Sequence, residues 1–351
     1  MRGIVWFRSD LRTDDNPALL NAINECEEII AIYIFSELQW KLHDESNIKH
    51  EFLINNLDHL KRSLEKLNIP LVAINTKSFK TLPKDLCSFA TEHEVDHIFW
   101  NNEFGLNELR RDYAVIESSA QIDIKTSQFN DQVIYEPGFL KTGQGNPFSV
   151  FTPFKRRWIE NFDMNFLDIL QPNVAKKPSL IKSNLSELKF TRTHSGNIGL
   201  WPAGEKAALD RLESFLQVKV KLYNESRNSP IIDGTSRISP YLALGILSPK
   251  RCILEGLKLN NFEFTAGSKG ICKWIDEIVW REFYRNIMHS FPKVSQNKPF
   301  QDYTKSIQWR HSDSELEAFY AGNTGFPIVD AGIRQMLAEG WMHNRLRMVV
   351  A

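Results

Sequence analysis

The first third of the chain alternates short apolar runs with longer segments in which apolar residues recur every three or four positions. The apolar runs are rich in Ile and Val and lie at residues 3–7, 29–35, 71–74, 97–100 and 122–124. Runs of this length predict buried strands, and the segments between them, such as 49–67 and 107–119, predict helices. Strands that alternate with helices form a parallel sheet covered on both faces. We therefore predict a doubly wound α/β domain over residues 1–130.

Residues 131–200 lack this regularity and are rich in proline. Because proline interrupts regular structure, we interpret this segment as a connector without a clear strand. From residue 201 the apolar spacing is helical, at 205–220, 240–244, 249–257, 269–289, 315–321, 327–338 and from about Trp341 onwards. This pattern predicts an all-α domain over residues 201–351. Because the chain stops inside an apolar run, we expect this domain to be incomplete at its C-terminus.

The composition excludes several classes of protein. Hydrophobic residues make up 42% of the chain and charged residues 25%, and no apolar run approaches the length of a membrane span. The four cysteines stand apart from one another, which predicts neither disulfides nor a metal site. The N-terminus shows no signal-peptide pattern, so we expect a cytoplasmic protein without a membrane partner.

The formal net charge of zero conceals a division between the two parts of the chain. Residues 1–130 contain 14 Lys and Arg against 21 Asp and Glu, whereas residues 131–351 contain 29 against 22. A basic second part is compatible with a polyanionic partner, and equally with an ordinary solvated surface.

A candidate phosphate site lies just before the helix predicted near Pro240. Three hydroxyl residues and a guanidinium group stand together there: Thr235, Ser236, Arg237 and Ser239. Helix N-termini and hydroxyl donors favour anions, although a serine that merely caps the helix is the commoner use of such residues. By contrast, the turn at residues 8–17 contains no glycine, so neither a dinucleotide-binding fingerprint nor a Walker loop is present.

The predicted helix 269–289 carries an unusual mixture of side chains. Spacings of three and four place Glu277, Trp280, Arg281 and Tyr284 on one side of it. Such a mixture suits a cavity that stacks flat rings and binds phosphates. The alternative is a surface pair between Glu277 and Arg281 with Trp280 packed beneath it.

The last predicted helix also carries polar side chains beside an aromatic ring. Asn344 and Arg347 lie three residues apart and share a face, while Arg345 points elsewhere. Amides and guanidinium groups near Trp341 suit recognition of base edges or of a cofactor ring. Helix capping by Asn344 is the alternative interpretation.

Six short segments now allow a comparison with known families. They are residues 5–12 with 15–16, 151–154, 234–237, 280–284, 324–330 and 341–345. In this order they resemble the successive signatures of the DNA photolyase/cryptochrome family, and most closely its class I cyclobutane pyrimidine dimer photolyases. The resemblance implies an α/β antenna domain, a connector and a helical domain that binds FAD beside a pocket for damaged DNA. It also implies a monomeric carbon–carbon lyase that repairs these dimers by light-driven electron transfer from reduced FAD.

The resemblance assigns roles to individual positions. The implied flavin contacts are Tyr223, Thr235, Ser236, Arg237, Ile238, Ser239 and Trp274. The implied contacts to the lesion and its flanking DNA are Arg227, Glu277, Trp280, Arg281, Asn344 and Arg345. Glu277 would hydrogen-bond the dimer as it gains an electron, and Trp280 would pack on the flipped bases. Trp309 resembles the outermost member of the tryptophan chain that photoreduces the flavin.

The resemblance also implies an antenna cofactor and a type of lesion. His43, Asn107 and Glu108 imply a folate antenna, methenyltetrahydrofolate, but Ser295-Gln296 replace the Cys-Lys of some folate-binding relatives, so a deazaflavin is the alternative. Asn344 favours cyclobutane dimers, because relatives that repair (6-4) lesions carry His there. Two other functions remain open: a cryptochrome-type blue-light signalling flavoprotein, and an inactive truncated remnant that at most binds nucleic acid.

Overall fold

A five-stranded parallel sheet forms the centre of the N-terminal part. The computed structural model describes residues 1–185 and 196–351. The strands are β1 (Arg2–Phe7), β2 (Glu28–Phe35), β3 (Leu71–Asn75), β4 (His97–Asn101) and β5 (Lys125–Phe129), in the spatial order β3-β2-β1-β4-β5. Every neighbouring pair is parallel, with Val5 level with Ala31 on one side and with Phe99 on the other. This order is that of a doubly wound sheet and confirms the predicted fold class.

Five helices lie between the strands along the chain: α1 (Pro17–Glu25), α2 (Glu37–Leu42), α3 (Asn47–Glu65), α4 (Leu82–Glu92) and α5 (Leu106–Ala120). The sequence explains where α1 begins, because the Asn16 side chain accepts a hydrogen bond from the Leu19 N–H at 3.1 Å and Pro17 suits the first turn. Residues 4–7 of β1 are fully buried, as expected for a central strand with a helical layer on each face.

The fifth strand is not where the apolar pattern predicts it. Residues 122–124 form a turn after α5, in which Asp123 has a φ of 58° and Ile122 is exposed. The strand follows at Lys125–Phe129, at the edge of the sheet. An edge strand tolerates polar side chains on its open side, so the hydrophobic pattern gives no signal for it and the prediction of a strand at 122–124 is wrong.

The connector contains a helix that the proline-rich sequence conceals. This helix, α6 (Phe151–Glu160), buries Phe151, Phe154 and Trp158 at helical spacing. Pro153 does not prevent it, because it lies in the first turn, where its missing N–H has no partner to lose. In the described part of the connector the only ladder contacts are isolated bridges, Glu28 with Lys177 and Lys141 with Pro147.

The C-terminal part is helical, as predicted. Its helices are α7 (Glu205–Val218), α8 (Tyr223–Ser226), α9 (Ser239–Ala243), α10 (Pro249–Leu259), α11 (Lys269–Ser290), α12 (Asp313–Tyr320), α13 (Pro327–Glu339) and α14 (Asn344–Val350). The last helix begins three residues later than predicted. Gly340 ends α13 in a left-handed conformation, and the Nδ1 atom of His343 caps α14 by accepting from the Arg345 N–H at 3.1 Å. The domain limits at residues 130 and 200 stay predictions.

The turn after β1 joins the two parts of the molecule. Arg12 forms an ion pair with Asp131 and donates to the carbonyl of Gly245 at 2.9 Å, while the Leu11 N–H donates to the Leu244 carbonyl at 3.0 Å. Gly245 has a φ of +62°, and a Cβ there would lie 2.0 Å from a backbone oxygen of this turn. Only glycine fits such a close approach.

A second joint attaches the connector to α11. Glu282 is 3% exposed, and its carboxylate accepts from the N–H groups of Ile134 at 2.7 Å and Tyr135 at 3.1 Å. It also accepts from the indole Nε1 of Trp158 at 2.9 Å. Burial raises the pKa of Glu282 to about 7, although the three donors oppose this shift.

We predict that Glu282 makes folding stability pH-dependent. Because its pKa is higher in the folded than in the unfolded state, the folded protein binds this proton more tightly and stability falls as pH rises from about 4.5 to about 7. Glu282→Gln removes the titration but weakens the joint. As pH rises across this window, the difference in the free energy of unfolding between the unaltered protein and the variant should therefore shrink by up to about 1.4 kcal/mol per pH unit. Urea unfolding at several pH values measures this difference, and Glu317→Gln, at an exposed position, is the control. A difference in unfolding free energy that does not change with pH would contradict the role of Glu282.

Candidate functional site

A cavity of about 390 Å³ lies in the helical part, between α11, the loop before α9 and the start of α14. All seven side chains implied as flavin contacts line it: Tyr223, Thr235, Ser236, Arg237, Ile238, Ser239 and Trp274. Three residues implied as lesion contacts, Glu277, Arg281 and Asn344, line the same cavity. Two groups that are distant in the sequence therefore meet in one place.

The loop before α9 presents polar groups to this cavity. Arg237 has a positive φ of 49°, and α9 begins at Ser239, so Ile238 rather than a serine occupies the N-cap position. The alternative interpretation, a serine that merely caps the helix, is therefore wrong. In the part of the chain that the structure describes, the hydroxyls of Thr235, Ser236 and Ser239 have no hydrogen-bond partner, which leaves them available to a ligand.

Arg237 is held in place by its neighbours. Its guanidinium lies 4.7 Å from the centre of the Trp341 ring and 3.5 Å from carboxylate oxygens of both Asp233 and Glu339. Gly234, just before the loop, passes so close to Ser226 that a Cβ would lie 2.4 Å from its hydroxyl oxygen. These contacts fix the path of the loop.

Glu277 pairs with a different arginine from the one that the helical spacing suggests. It forms an ion pair with Arg227, at the end of α8. Arg281 instead donates to the backbone carbonyls of Gln132 and, at 3.2 Å, of Leu242. Burial and the nearby charge of Arg285 lower the pKa of Arg281 to about 10. The alternative of a Glu277–Arg281 surface pair is therefore wrong.

Trp280 lies outside the set of residues that line the cavity, next to Glu277 and Arg281 on α11. Its ring stacks on Phe151 of α6, with 3.8 Å between ring centres and 11° between ring planes. Tyr284 lies beside it at 5.6 Å and is largely exposed. The predicted common side of α11 is thus divided, because Glu277 and Arg281 line the cavity while Trp280 and Tyr284 contact α6 or solvent.

The last helix divides its polar residues as the sequence predicts. Asn344 and Arg347 line the cavity, whereas Arg345 donates to the side-chain oxygen of Asn228 at 2.8 Å. Arg285 also lines the cavity without having been singled out as a site residue. Helical spacing could have indicated it, since it lies four residues after Arg281.

Trp309 is not among the residues that line this cavity. Its side chain is 76% exposed, in the segment between residues 307 and 312 that precedes α12.

A second cavity, of about 210 Å³, lies at the carboxyl ends of β1 and β2, where doubly wound sheets bind ligands. His43 and Glu108 line it, and the Asn107 amide nitrogen lies 3.5 Å from Nε2 of His43. Glu103 also lines it. Although burial opposes the shift, Arg8 and Arg111 hold the pKa of Glu103 down at about 2. The cavity therefore combines aromatic walls such as Trp40 with fixed charges of both signs.

The comparisons with known proteins can now be set against this geometry. Residues 3–177 match the family described as DNA photolyase. The deoxyribodipyrimidine photo-lyase of Escherichia coli is 35% identical over 350 residues, which cover 99% of this chain and 73% of that protein. The chain belongs to the DNA photolyase family. Residues 274–351, from α11 onwards, match the FAD-binding domain of DNA photolyase, which confirms FAD as the predicted cofactor.

Solved structures of photolyases have the same fold. The crystal structure of a bacterial class III photolyase from Agrobacterium tumefaciens superimposes with a TM-score of 0.88 at 31% identity, covering 99% of this chain and 71% of that one. An archaeal photolyase from Sulfolobus tokodaii gives a TM-score of 0.82 at 22% identity, covering 100% of this chain and 74% of that one. The second comparison supports the fold only.

The residues of the larger cavity fit an FAD molecule in chemical terms. Unpartnered hydroxyls and a guanidinium suit its phosphates, and the rings of Tyr223, Trp274 and Trp341 suit its flat ring systems. Among the described residues, no group of acidic, His or Cys side chains could hold a metal ion, and no helix is long and apolar enough to cross a membrane.

We predict that the free hydroxyls of the loop before α9 contribute to the affinity of this photolyase for FAD. In the double variant Thr235→Ala with Ser236→Ala, phosphate loses two donors that no protein group replaces. A hydrogen bond to a charged group contributes about 1.5–3 kcal/mol, so the dissociation constant should rise by about tenfold or more. Titration of the apoprotein with FAD measures this dissociation constant. Ser88→Ala, which removes an exposed hydroxyl from α4, is the control, and unchanged affinity of the double variant would contradict the proposed contacts.

Proposed function

We propose that this protein repairs cyclobutane pyrimidine dimers in DNA by light-driven electron transfer from reduced FAD. One observation carries the proposal: a single cavity is lined both by the positions implied to hold flavin and by Glu277, Arg281 and Asn344, which are implied to meet the lesion. The relatives named deoxyribodipyrimidine photo-lyase support the same substrate class.

Bound FAD would supply the light-driven electron transfer, and the residues of the chain would position the two partners. Thr235, Ser236 and Ser239 line the cavity and would donate hydrogen bonds to the phosphates. Arg227 holds the carboxyl group of Glu277 at the cavity wall.

Two further implied lesion contacts are Asn344 and Trp280. Asn344 lines the cavity and offers an amide that can donate to or accept from a base edge, and Trp280, outside the cavity lining on α11, offers a flat ring. A base that has left the duplex stack is commonly held by this combination of edge hydrogen bonds and aromatic stacking. Arg345, bonded to the exposed Asn228, lies where it can reach a backbone phosphate of the flanking DNA.

We further propose that the smaller cavity binds an antenna of the folate type. His43, Asn107 and Glu108 meet there, and burial with the nearby Glu103 raises the pKa of Glu108. A carboxyl group with a raised pKa can donate or accept in a hydrogen bond to a pterin edge. The absorption spectrum of the chromophore released on denaturation distinguishes a folate from a deazaflavin.

The decisive experiment is a repair assay on defined lesions. Purified protein loaded with FAD and reduced should convert a duplex containing one cyclobutane thymine dimer to the intact sequence under blue light, and should leave a duplex with a (6-4) photoproduct unchanged. The dark reaction is the control. Flavin binding without repair of the dimer would refute the proposed activity and favour signalling or an inactive remnant.

We predict that Trp280 contributes stacking to lesion binding. Trp280→Ala should remove about 1–3 kcal/mol, which weakens binding of the dimer-containing duplex about 5- to 150-fold. Affinity for undamaged duplex should change little, because no base is flipped there. Tyr113→Ala, which removes an exposed ring from α5, is the matched control. Equal weakening on both duplexes would show that Trp280 has no role specific to the lesion.

A further inference from the structure

The packing of α6 on α11 follows a regular pattern. Residues 151, 154, 155 and 158 of α6 lie on one face, at helical spacing. Phe154 packs on Phe283 with 5.3 Å between ring centres, and Lys155 forms an ion pair with Asp276 at 2.6 Å. One turn further along α6, Trp158 donates to the buried carboxylate of Glu282. An apolar contact, an ion pair and a hydrogen bond to a buried carboxylate therefore fix α6 against α11.

Phe151 lies at the start of this fixed face and covers one face of Trp280. It is 9% exposed, and the short distance and small angle between the two rings describe a nearly parallel stack. Phe283 meets the edge of the Trp280 ring at 85° and 5.6 Å. Trp280 nevertheless remains partly exposed, and the exposed Tyr284 lies beside it with 5.6 Å between ring centres and 29° between ring planes.

We propose that Phe151 is a positioning residue for lesion recognition: by stacking on one face of Trp280 it fixes the plane of that ring and presents the opposite face to a flipped base. The proposal rests on the proposed function of Trp280. A tryptophan side chain that is free to rotate loses that freedom when it binds a base, which weakens the complex. A Trp280 side chain that Phe151 already holds has lost this rotational freedom on folding. Binding of the base is therefore tighter by the free energy that the loss would otherwise cost.

The fixed position of α6 explains why a residue of the connector can fix the plane of the Trp280 ring. If α6 were a loosely attached segment, Phe151 would move with Trp280 and would not fix its plane. Because Lys155 and Trp158 attach α6 to other residues of α11, Phe151 is anchored independently of Trp280. The connector thus forms part of the lesion-binding surface rather than a passive link.

The test compares two leucine variants on the same helix. Phe151→Leu keeps an apolar side chain but removes the stacked ring, and it should weaken binding of a duplex with one cyclobutane thymine dimer about 2- to 10-fold. Binding of undamaged duplex and the FAD content should stay unchanged. Phe154→Leu removes a buried ring that does not stack on Trp280, so it should lower the unfolding midpoint without changing the preference for damaged DNA. Phe151→Tyr retains a ring and should restore this preference.

A double variant separates positioning from a general structural effect. In a Trp280→Ala background, Phe151→Leu should cause no further loss of dimer binding, because the ring that it positions is absent. The proposal is overturned if Phe151→Leu preserves the preference for damaged DNA, or if it weakens dimer binding as much without Trp280 as with it. If Trp280→Ala alone leaves dimer binding unchanged, the proposed role of Trp280 fails and the positioning role of Phe151 fails with it.

Discussion

The buried carboxylate of Glu282 is the contact on which the arrangement around α11 depends. It accepts three hydrogen bonds, two from the backbone of the connector and one from Trp158. Leaving a buried charge without its partners costs several kcal/mol, so the connector and α6 cannot move away from α11 independently. The two residues that precede Glu282 use this fixed geometry: Arg281 donates to the carbonyl of Gln132 on the same connector, and Trp280 stacks on Phe151. Since successive residues of a helix point about 100° apart, three neighbours can contact three different partners.

This arrangement also determines the electrostatics of the larger cavity. Arg281 contributes positive charge, but two backbone carbonyls already accept its hydrogen bonds. Arg285 lies close enough to Glu103 and Glu108 for their charges to raise its pKa, although burial outweighs them and lowers it. Because Glu103 and Glu108 line the smaller cavity, the two cavities share an electrostatic environment across α11. A change of charge in the smaller cavity therefore acts on a cation that lines the larger one.

The sequence predicts the strands and helices that are buried and periodic. It does not predict the polar edge strand, the helix that contains Pro153, or an ion pair between residues far apart in the chain. Strands β1 to β4 are evident because both of their faces are apolar, whereas the polar edge strand β5 is not. Helix α6 is concealed by Pro153 although its buried residues have helical spacing. The family resemblance brings together the side chains of the larger cavity, but spacing within α11 suggests Arg281 as the partner of Glu277. The actual partner, Arg227, lies 50 residues away and no local pattern reveals it.

The turn after β1 explains why a sheet of this type lacks a glycine-rich fingerprint. In dinucleotide-binding proteins the backbone of this turn approaches a pyrophosphate, which requires glycine. Here the same turn contacts the helical part: Leu11 and Arg12 bond to the backbone at residues 244–245, and Asp15 accepts from Ser248 at 2.6 Å and pairs with Lys250 at 3.1 Å. Burial and Asp131 raise the pKa of Asp10 in this turn to about 6. The polar groups that would otherwise serve a nucleotide therefore hold the two parts of the molecule together. A flavin phosphate must find its donors elsewhere, and the loop at residues 235–239 offers them.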